Sequence, residues 1–129
     1  LGVDLKKETD LLNAAYNDQA GVTKLFNLNV LRHLNNVYGA SFSLDRFEHQ
    51  AYYNPTLGCI QMFLVSQSNQ IVEVAGESVA FKEGEKIHTE NSYKYTTGEI
   101  EALAGNSGFS EVRTWIDDSS FFGLFFLSN

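Results

Sequence analysis

The sequence predicts an α+β fold, with two N-terminal helices packed on an antiparallel sheet and a further helix and two strands closing the chain. Three observations carry that expectation. Apolar residues recur at helical spacing as far as Gly39, and from Phe47 onward the period switches to two. Short turns join the alternating segments, which suggests an antiparallel meander. The composition, 43% hydrophobic and 19% charged over 129 residues, suits one ordinary globular unit.

Taken in order, Leu1-Gly2-Val3-Asp4-Leu5 reads like the tail of a buried strand emerging into a loop. The first helix runs from about Thr9 to Asn17 on Leu11, Leu12, Ala15 and Tyr16, with Thr9 or Asp10 able to cap it. The second runs from about Ala20 to Tyr38, with Val22, Leu25, Phe26, Val30, Leu31, Leu34, Val37 and Tyr38 as its apolar face and Gly39 as its stop. Strands follow at Phe47–Asn54, Cys59–Gln67, Gln70–Ala75, Ser78–Lys82 and Lys86–Tyr95. Thr96-x-x-Glu99 fits a capping box, opening a short helix that reaches Ala104 before Gly105. Gly108–Ile116 reads as one strand and Phe121–Leu127 as another. The latter is apolar on both faces, so it belongs in a sheet covered on both sides. The remaining residues are too few to supply that cover, and the chain reads as a piece of something longer.

Composition and spacing exclude several classes. A net charge of −7 leaves no basic stripe to displace counterions from phosphates, so no nucleic-acid partner is expected. No apolar run approaches the roughly 18–20 residues that a membrane span needs. Cys59 stands alone, which points to a reducing, cytoplasmic compartment, and its apolar strand offers no charge to form a thiolate. His33, His49 and His88 lack paired-ligand spacing, so no metal is expected. No glycine-rich phosphate loop occurs, and the chain carries no nucleotide-binding element of its own.

The segment Ile87–Tyr95 carries the most chemistry. As a strand it places His88, Glu90, Ser92 and Lys94 on one face, with Ile87, Thr89, Asn91, Tyr93 and Tyr95 on the other. Glu90 and Ser92 then stand roughly 6.5–7 Å apart, a separation at which a carboxylate and a hydroxyl can grip both nitrogens of an imidazole. The same pattern also suits a merely solvated strand face. Tyr16, closing the first helix, can offer its phenol to a ligand carboxylate or serve as a core anchor. Asn27 and Asn29 lie inside the second helix, where each calls for a polar partner.

The run Tyr16-Asn17-Asp18-x-x-Gly21-Val22-Thr23-x-x-Phe26-Asn27-x-Asn29-Val30-Leu31 resembles the helix-turn-helix segment of the histidine Nα-methyltransferases, which make hercynine for ergothioneine. Phe47-Glu48-His49-x-Ala51-x-Tyr53-Asn54 and Ile60-x-Met62-x-Leu64-Val65-Ser66 resemble the strands that follow there, and Thr89-Glu90-x-Ser92-x-Lys94-Tyr95 resembles the substrate strand. Leu1-Gly2-Val3-Asp4-Leu5-x-Lys7 is similar to the segment leaving the fifth strand of the methyltransferase core. The resemblance implies three parts. Residues 1–9 leave a class I, Rossmann-like core, residues 10–95 form a substrate-binding α+β domain, and residues 96–129 supply the last helix and two strands of that core.

It further implies that Tyr16 binds the substrate carboxylate with Thr23 near the amine, that Glu90 and Ser92 hold the imidazole, and that Met62 shapes the ring pocket. Glu90 together with Met62 favours histidine over the bulkier substrates of a related branch. No residue here is implied as a catalytic acid or base. S-adenosylmethionine is expected on an N-terminal half outside this chain, so the chain alone should be inactive. With the fifth strand taken as missing, Phe121–Leu127 should present an unpaired edge and promote dimerisation. The rival reading is a self-standing amino-acid-binding domain that uses the same pocket without catalysis.

Overall fold

A computed structural model describes residues 1–129. A short strand, β1 (Gly2–Asp4), precedes two helices, α1 (Thr9–Tyr16) and α2 (Val22–Tyr38). Neither Thr9 nor Asp10 caps α1. Thr9 is already helical behind Glu8, and Asp10 instead lies in the first turn, where its charge favours the helix dipole. At the other end Asn17 bonds the carbonyls of Asn13 (2.7 Å) and Ala51 (3.0 Å), tying the helix end to a strand. The start of α2 falls at Val22, because Gly21 adopts φ +70° and the Asp18 carboxylate accepts from the amides of Val22 (2.8 Å) and Thr23 (2.9 Å). Gly39, at φ +62°, ends it as expected.

The apolar face expected of α2 is only partly its buried face. Asn27, Leu28 and Leu31 are buried, whereas Val22, Leu25, Phe26, Val37 and Tyr38 are more than half exposed. Asn27 draws the helix onto the sheet by donating to His49 Nδ1 (2.9 Å) and to the Phe63 carbonyl (3.1 Å).

The expected strands form as β2 (Phe47–Asn54), β3 (Cys59–Ser66), β4 (Gln70–Val74), β5 (Glu77–Phe81) and β6 (Lys86–Tyr93). They do not form one meander. The first sheet is ordered β2-β3-β6, and β4 pairs only with β5 in a separate hairpin. Ala75 and Gly76, both at positive φ, make the tight turn of that hairpin. The chain then returns so that β6 pairs antiparallel with β3. Helices α1 and α2 cover one face of this sheet. Leu12 of α1 packs with Ala51, Ile60 and Met62, and Leu28 and Leu31 of α2 pack with Phe42, Phe47, Leu64 and Val72.

The C-terminal part begins with α3 (Thr97–Asn106), whose capping box is complete: Thr96 N donates to Glu99 Oε2 (2.7 Å) and Glu99 N to Thr96 Oγ1 (3.2 Å). Gly105 does not stop it, and the left-handed residue beyond its end is Gly108, at φ +92°. Strands β7 (Glu111–Ile116) and β8 (Phe122–Ser128) complete a second antiparallel sheet ordered β1-β8-β7.

The expected open edge of the last strand is therefore corrected. Along Phe122–Leu124 it pairs with β1, and Phe125 N donates to the Leu1 carbonyl (2.8 Å). Its faces differ. Phe125 is buried with Val3, Leu5 and Ile100, while Phe122, Leu124 and Phe126 are bare beside Trp115.

Candidate functional site

Four polar side chains meet where α1, β6 and β1 converge. Tyr16 ends α1, Ser92 and Lys94 follow one another on the same face of β6 and its extension, and Asp4 ends β1. Tyr16 Oη lies 2.8 Å from Ser92 Oγ. The Lys94 ammonium donates to Tyr16 Oη (2.7 Å) and Ser92 Oγ (2.8 Å), and pairs with Asp4 Oδ2 at 3.2 Å. Lys94 is 3% exposed, a burial that lysine accepts only when its protons find partners, as they do here. Asp4 also pairs with Lys7 at 2.6 Å, so two ammonium groups share one carboxylate. His49 fixes Tyr16 from behind. Its Nδ1 faces the Asn27 amide, so Nε2 carries the proton and donates to the Tyr16 carbonyl at 2.8 Å.

A cleft of about 470 Å³ opens over this cluster, bounded by Asp4, Tyr16, Glu90, Ser92, Lys94 and Leu103 among others. Glu90 lines the same cleft, two residues before Ser92 on β6. It pairs across the strands with Met62, which is 1% exposed in the apolar floor. The Glu90 carboxylate forms no hydrogen bond or ion pair within the chain, which leaves it ready to accept from a ligand. It also borders a larger groove of about 680 Å³, lined by Phe26, Val30, Phe42, Phe81 and Ile87.

One expectation about this strand needs correction. His88 does not share the face of Glu90. The β3–β6 register shifts between Met62 and Phe63, so that Met62 opposes Glu90 while Phe63 opposes His88. Thr89 is the extra residue of this bulge, and its hydroxyl donates to the Met62 carbonyl at 3.1 Å. His88 consequently stacks on Phe63 on the outer face, with ring centroids 4.8 Å apart. Glu90, Ser92 and Lys94 stay together on the inner side.

Of the five residues singled out from sequence, Tyr16, Glu90 and Ser92 line one cleft, and Met62 lies buried opposite Glu90. Thr23 stands apart. Its amide bonds Asp18 in the first turn of α2, and it lines neither the cleft nor the larger groove. The backbone amides of Val22 and Thr23, with the Thr23 hydroxyl, hold the Asp18 carboxyl down to about 2. Sequence reasoning placed Lys94 on the right face but did not identify it, Asp4 or Lys7 as parts of the site. The alternation Glu90-x-Ser92-x-Lys94 was the available signal. No group of three or more His, Cys, Asp and Glu side chains is disposed to hold a metal ion, and no helix is long and apolar enough to cross a membrane.

A Cβ at Gly123 would fall 2.6 Å from Phe125 Cε2, and one at Gly2 would fall 2.9 Å from Phe122 Cζ, so both admit aromatic rings of the fold itself.

A family model described as histidine-specific methyltransferase, S-adenosylmethionine-dependent, matches residues 1–129. The chain is 40% identical over 126 residues to the histidine N-alpha-methyltransferase of Mycolicibacterium smegmatis, and 37% identical to that of Mycobacterium tuberculosis. Each alignment covers 96% of this chain and 39% of the relative, so the chain spans about two fifths of their length. The ergothioneine biosynthesis protein 1 of Neurospora crassa is 28% identical over 129 residues, covering 89% of this chain and 13% of that protein.

Proposed function

The chain belongs to the S-adenosylmethionine-dependent, histidine-specific methyltransferase family, and from that premise we propose that it is the substrate-gripping C-terminal part of an enzyme that methylates the α-amine of histidine to the trimethyl product hercynine. Residues 10–95 are the substrate domain in this reading, and residues 1–9 and 96–129 belong to a class I methyltransferase core. The position of β8, antiparallel between β1 and β7, supports the second assignment. S-adenosylmethionine supplies the methyl group and is held by residues outside this chain. The partner is a small molecule, and the compartment is the cytoplasm.

The single observation that carries the reading is the polarity of the cleft. Glu90 offers an unpaired acceptor, Tyr16 a hydroxyl backed by the Lys94 ammonium, and Ser92 a second hydroxyl 2.8 Å from the phenol. An amino acid with a carboxylate at one end and a ring N–H at the other complements these groups. Glu90 and Ser92 anchor the imidazole, Tyr16 takes the carboxylate, and Met62 sets the depth beneath the ring. What these side chains supply is orientation of the amine, the term that positioning contributes to a transfer reaction.

The test is a substrate screen with a full-length protein containing this chain. Methylation of histidine in clear preference to other amino acids is the expected result, and equal or absent activity on histidine refutes the reading. Residues 1–129 alone should show no calorimetric binding of S-adenosylmethionine and no turnover. Micromolar binding by this chain would contradict the division of labour.

A further inference from the structure

We propose that Lys94 is a positioning residue that fixes where in the cleft the substrate carboxylate lies, acting through Tyr16 and Ser92. The inference rests on the amino-acid site proposed above. An ammonium has three N–H donors and no acceptor, and those of Lys94 are directed at Tyr16 Oη, Ser92 Oγ and Asp4 Oδ2. Both hydroxyl oxygens therefore accept from Lys94, and the 2.8 Å contact between them uses the proton of one. A single O–H remains to point into the cleft.

When Ser92 donates to Tyr16, the phenol oxygen accepts twice and can only donate outward. That geometry suits an anionic acceptor such as a carboxylate. Ser92 then keeps a lone pair for one ring N–H and Glu90 accepts from the other, an arrangement that takes the ring as imidazolium, with a proton on both nitrogens. The arrangement serves both ends of the substrate without breaking the Tyr16–Ser92 contact.

Charge acts in the same direction. Lys94 and Lys7 share Asp4, which leaves one net positive charge behind the hydroxyls, and Glu90 stands four residues away on the same inner side of β6. Lys94 is nearly sealed from water and its ammonium lies 4.8 Å from the Tyr16 ring centroid, so its field is screened little and acts at Tyr16. A reversed substrate would set its carboxylate against Glu90 and its ring against this cation. Lys94 itself does not touch the substrate in this account.

The experiment compares histidine with histamine, which lacks the carboxylate, in the full-length enzyme and its Lys94→Met variant. The expected result is a rise of about tenfold or more in KM for histidine, a change in kcat of less than about threefold, and a matching loss of preference for histidine over histamine. Lys94→Arg, which keeps the charge, should recover part of that preference. A wild-type enzyme that prefers histidine, beside a Lys94→Met variant with the same preference, overturns the role of Lys94 alone. A wild-type enzyme that does not bind histidine overturns the site reading and this inference with it.

Should the methionine variant not fold, the unmodified enzyme carries the test. The Lys94 ammonium protons should give a slowly exchanging NMR signal that shifts on adding histidine and not on adding histamine. A signal indifferent to both, while histidine demonstrably binds, overturns the proposal.

Discussion

The two sheets of this molecule treat their apolar faces differently. The β2-β3-β6 sheet closes its inner face beneath two helices, and Ile60 and Leu64 reach 0% exposure there. The β1-β8-β7 sheet closes one face only. Phe125 is 1% exposed against α3, while Phe122, Leu124, Trp115 and Phe126 stand 50–56% exposed on the other side. A sheet apolar on both faces needs a layer on each. The first region thus holds its own core, and the second presents a face that asks for cover. The cleft lies where the two regions meet, with Asp4 from the second bonded to Lys94 from the first.

The largest effect expected from breaking this comparison is at Leu64. Leu64→Ala should cost about 2–5 kcal/mol, because a fully buried side chain leaves a cavity. Leu124→Thr, on the bare face, should stay within about 0.5 kcal/mol in residues 1–129. Chemical denaturation measures both. Equal losses of stability would erase the distinction between the sheets.

A sharper version sets two glycines of the same sheet against each other. Gly123→Ala places its methyl 2.6 Å from the ring of Phe125 and 3.2 Å from Ile116 Cδ1, on the closed face. Phe125 has nowhere to move, so a loss of about 1–3 kcal/mol is expected. Gly2→Ala meets only the tip of Phe122, which is 50% exposed and free to turn away. Its cost should be the smaller, and a reversed order in thermal melts would contradict the assignment of closed and open faces.

The smallest effect is at the entry to α2. The Asp18 carboxyl is held to about 2, below the ordinary value near 4, by the amides and hydroxyl it accepts from. A depressed folded value means that its contribution is complete above about pH 4 and is lost as pH falls toward 2. The gap in melting temperature between wild type and Asp18→Ala should therefore be constant from neutral pH to about 4 and narrow below it. A gap that does not change with pH would show that the ionised carboxylate is not what holds the turn.

Much of this arrangement was legible in the sequence, and the exceptions have physical causes. Element types and order followed from periodicity, and the Thr96–Glu99 capping box formed as read. The face of α2 was misjudged because a hydrophobic pattern does not count polar docking, and Asn27 sits on the sheet through His49 and Phe63. The meander failed because β4 and β5 close on each other through a positive-φ turn, which frees β3 to pair with β6. His88 was placed on the wrong face because strict alternation cannot anticipate a bulge at Thr89. Within the cleft, Glu90 and Ser92 were visible as alternate residues. Lys94 was underrated, since burial of a lysine depends on partners as distant in sequence as Asp4 and Tyr16.

The central claim, that this cleft holds histidine by its ring and its carboxylate, is tested most directly by calorimetry of histidine binding to the full-length enzyme and its Glu90→Ala variant. Loss of a charge-assisted hydrogen bond, about 1.5–3 kcal/mol, should weaken histidine binding on the order of 10–100-fold. The melting temperature should be almost unchanged, because the carboxylate bonds nothing else in the fold. An affinity for histidine that Glu90→Ala leaves untouched would contradict the account.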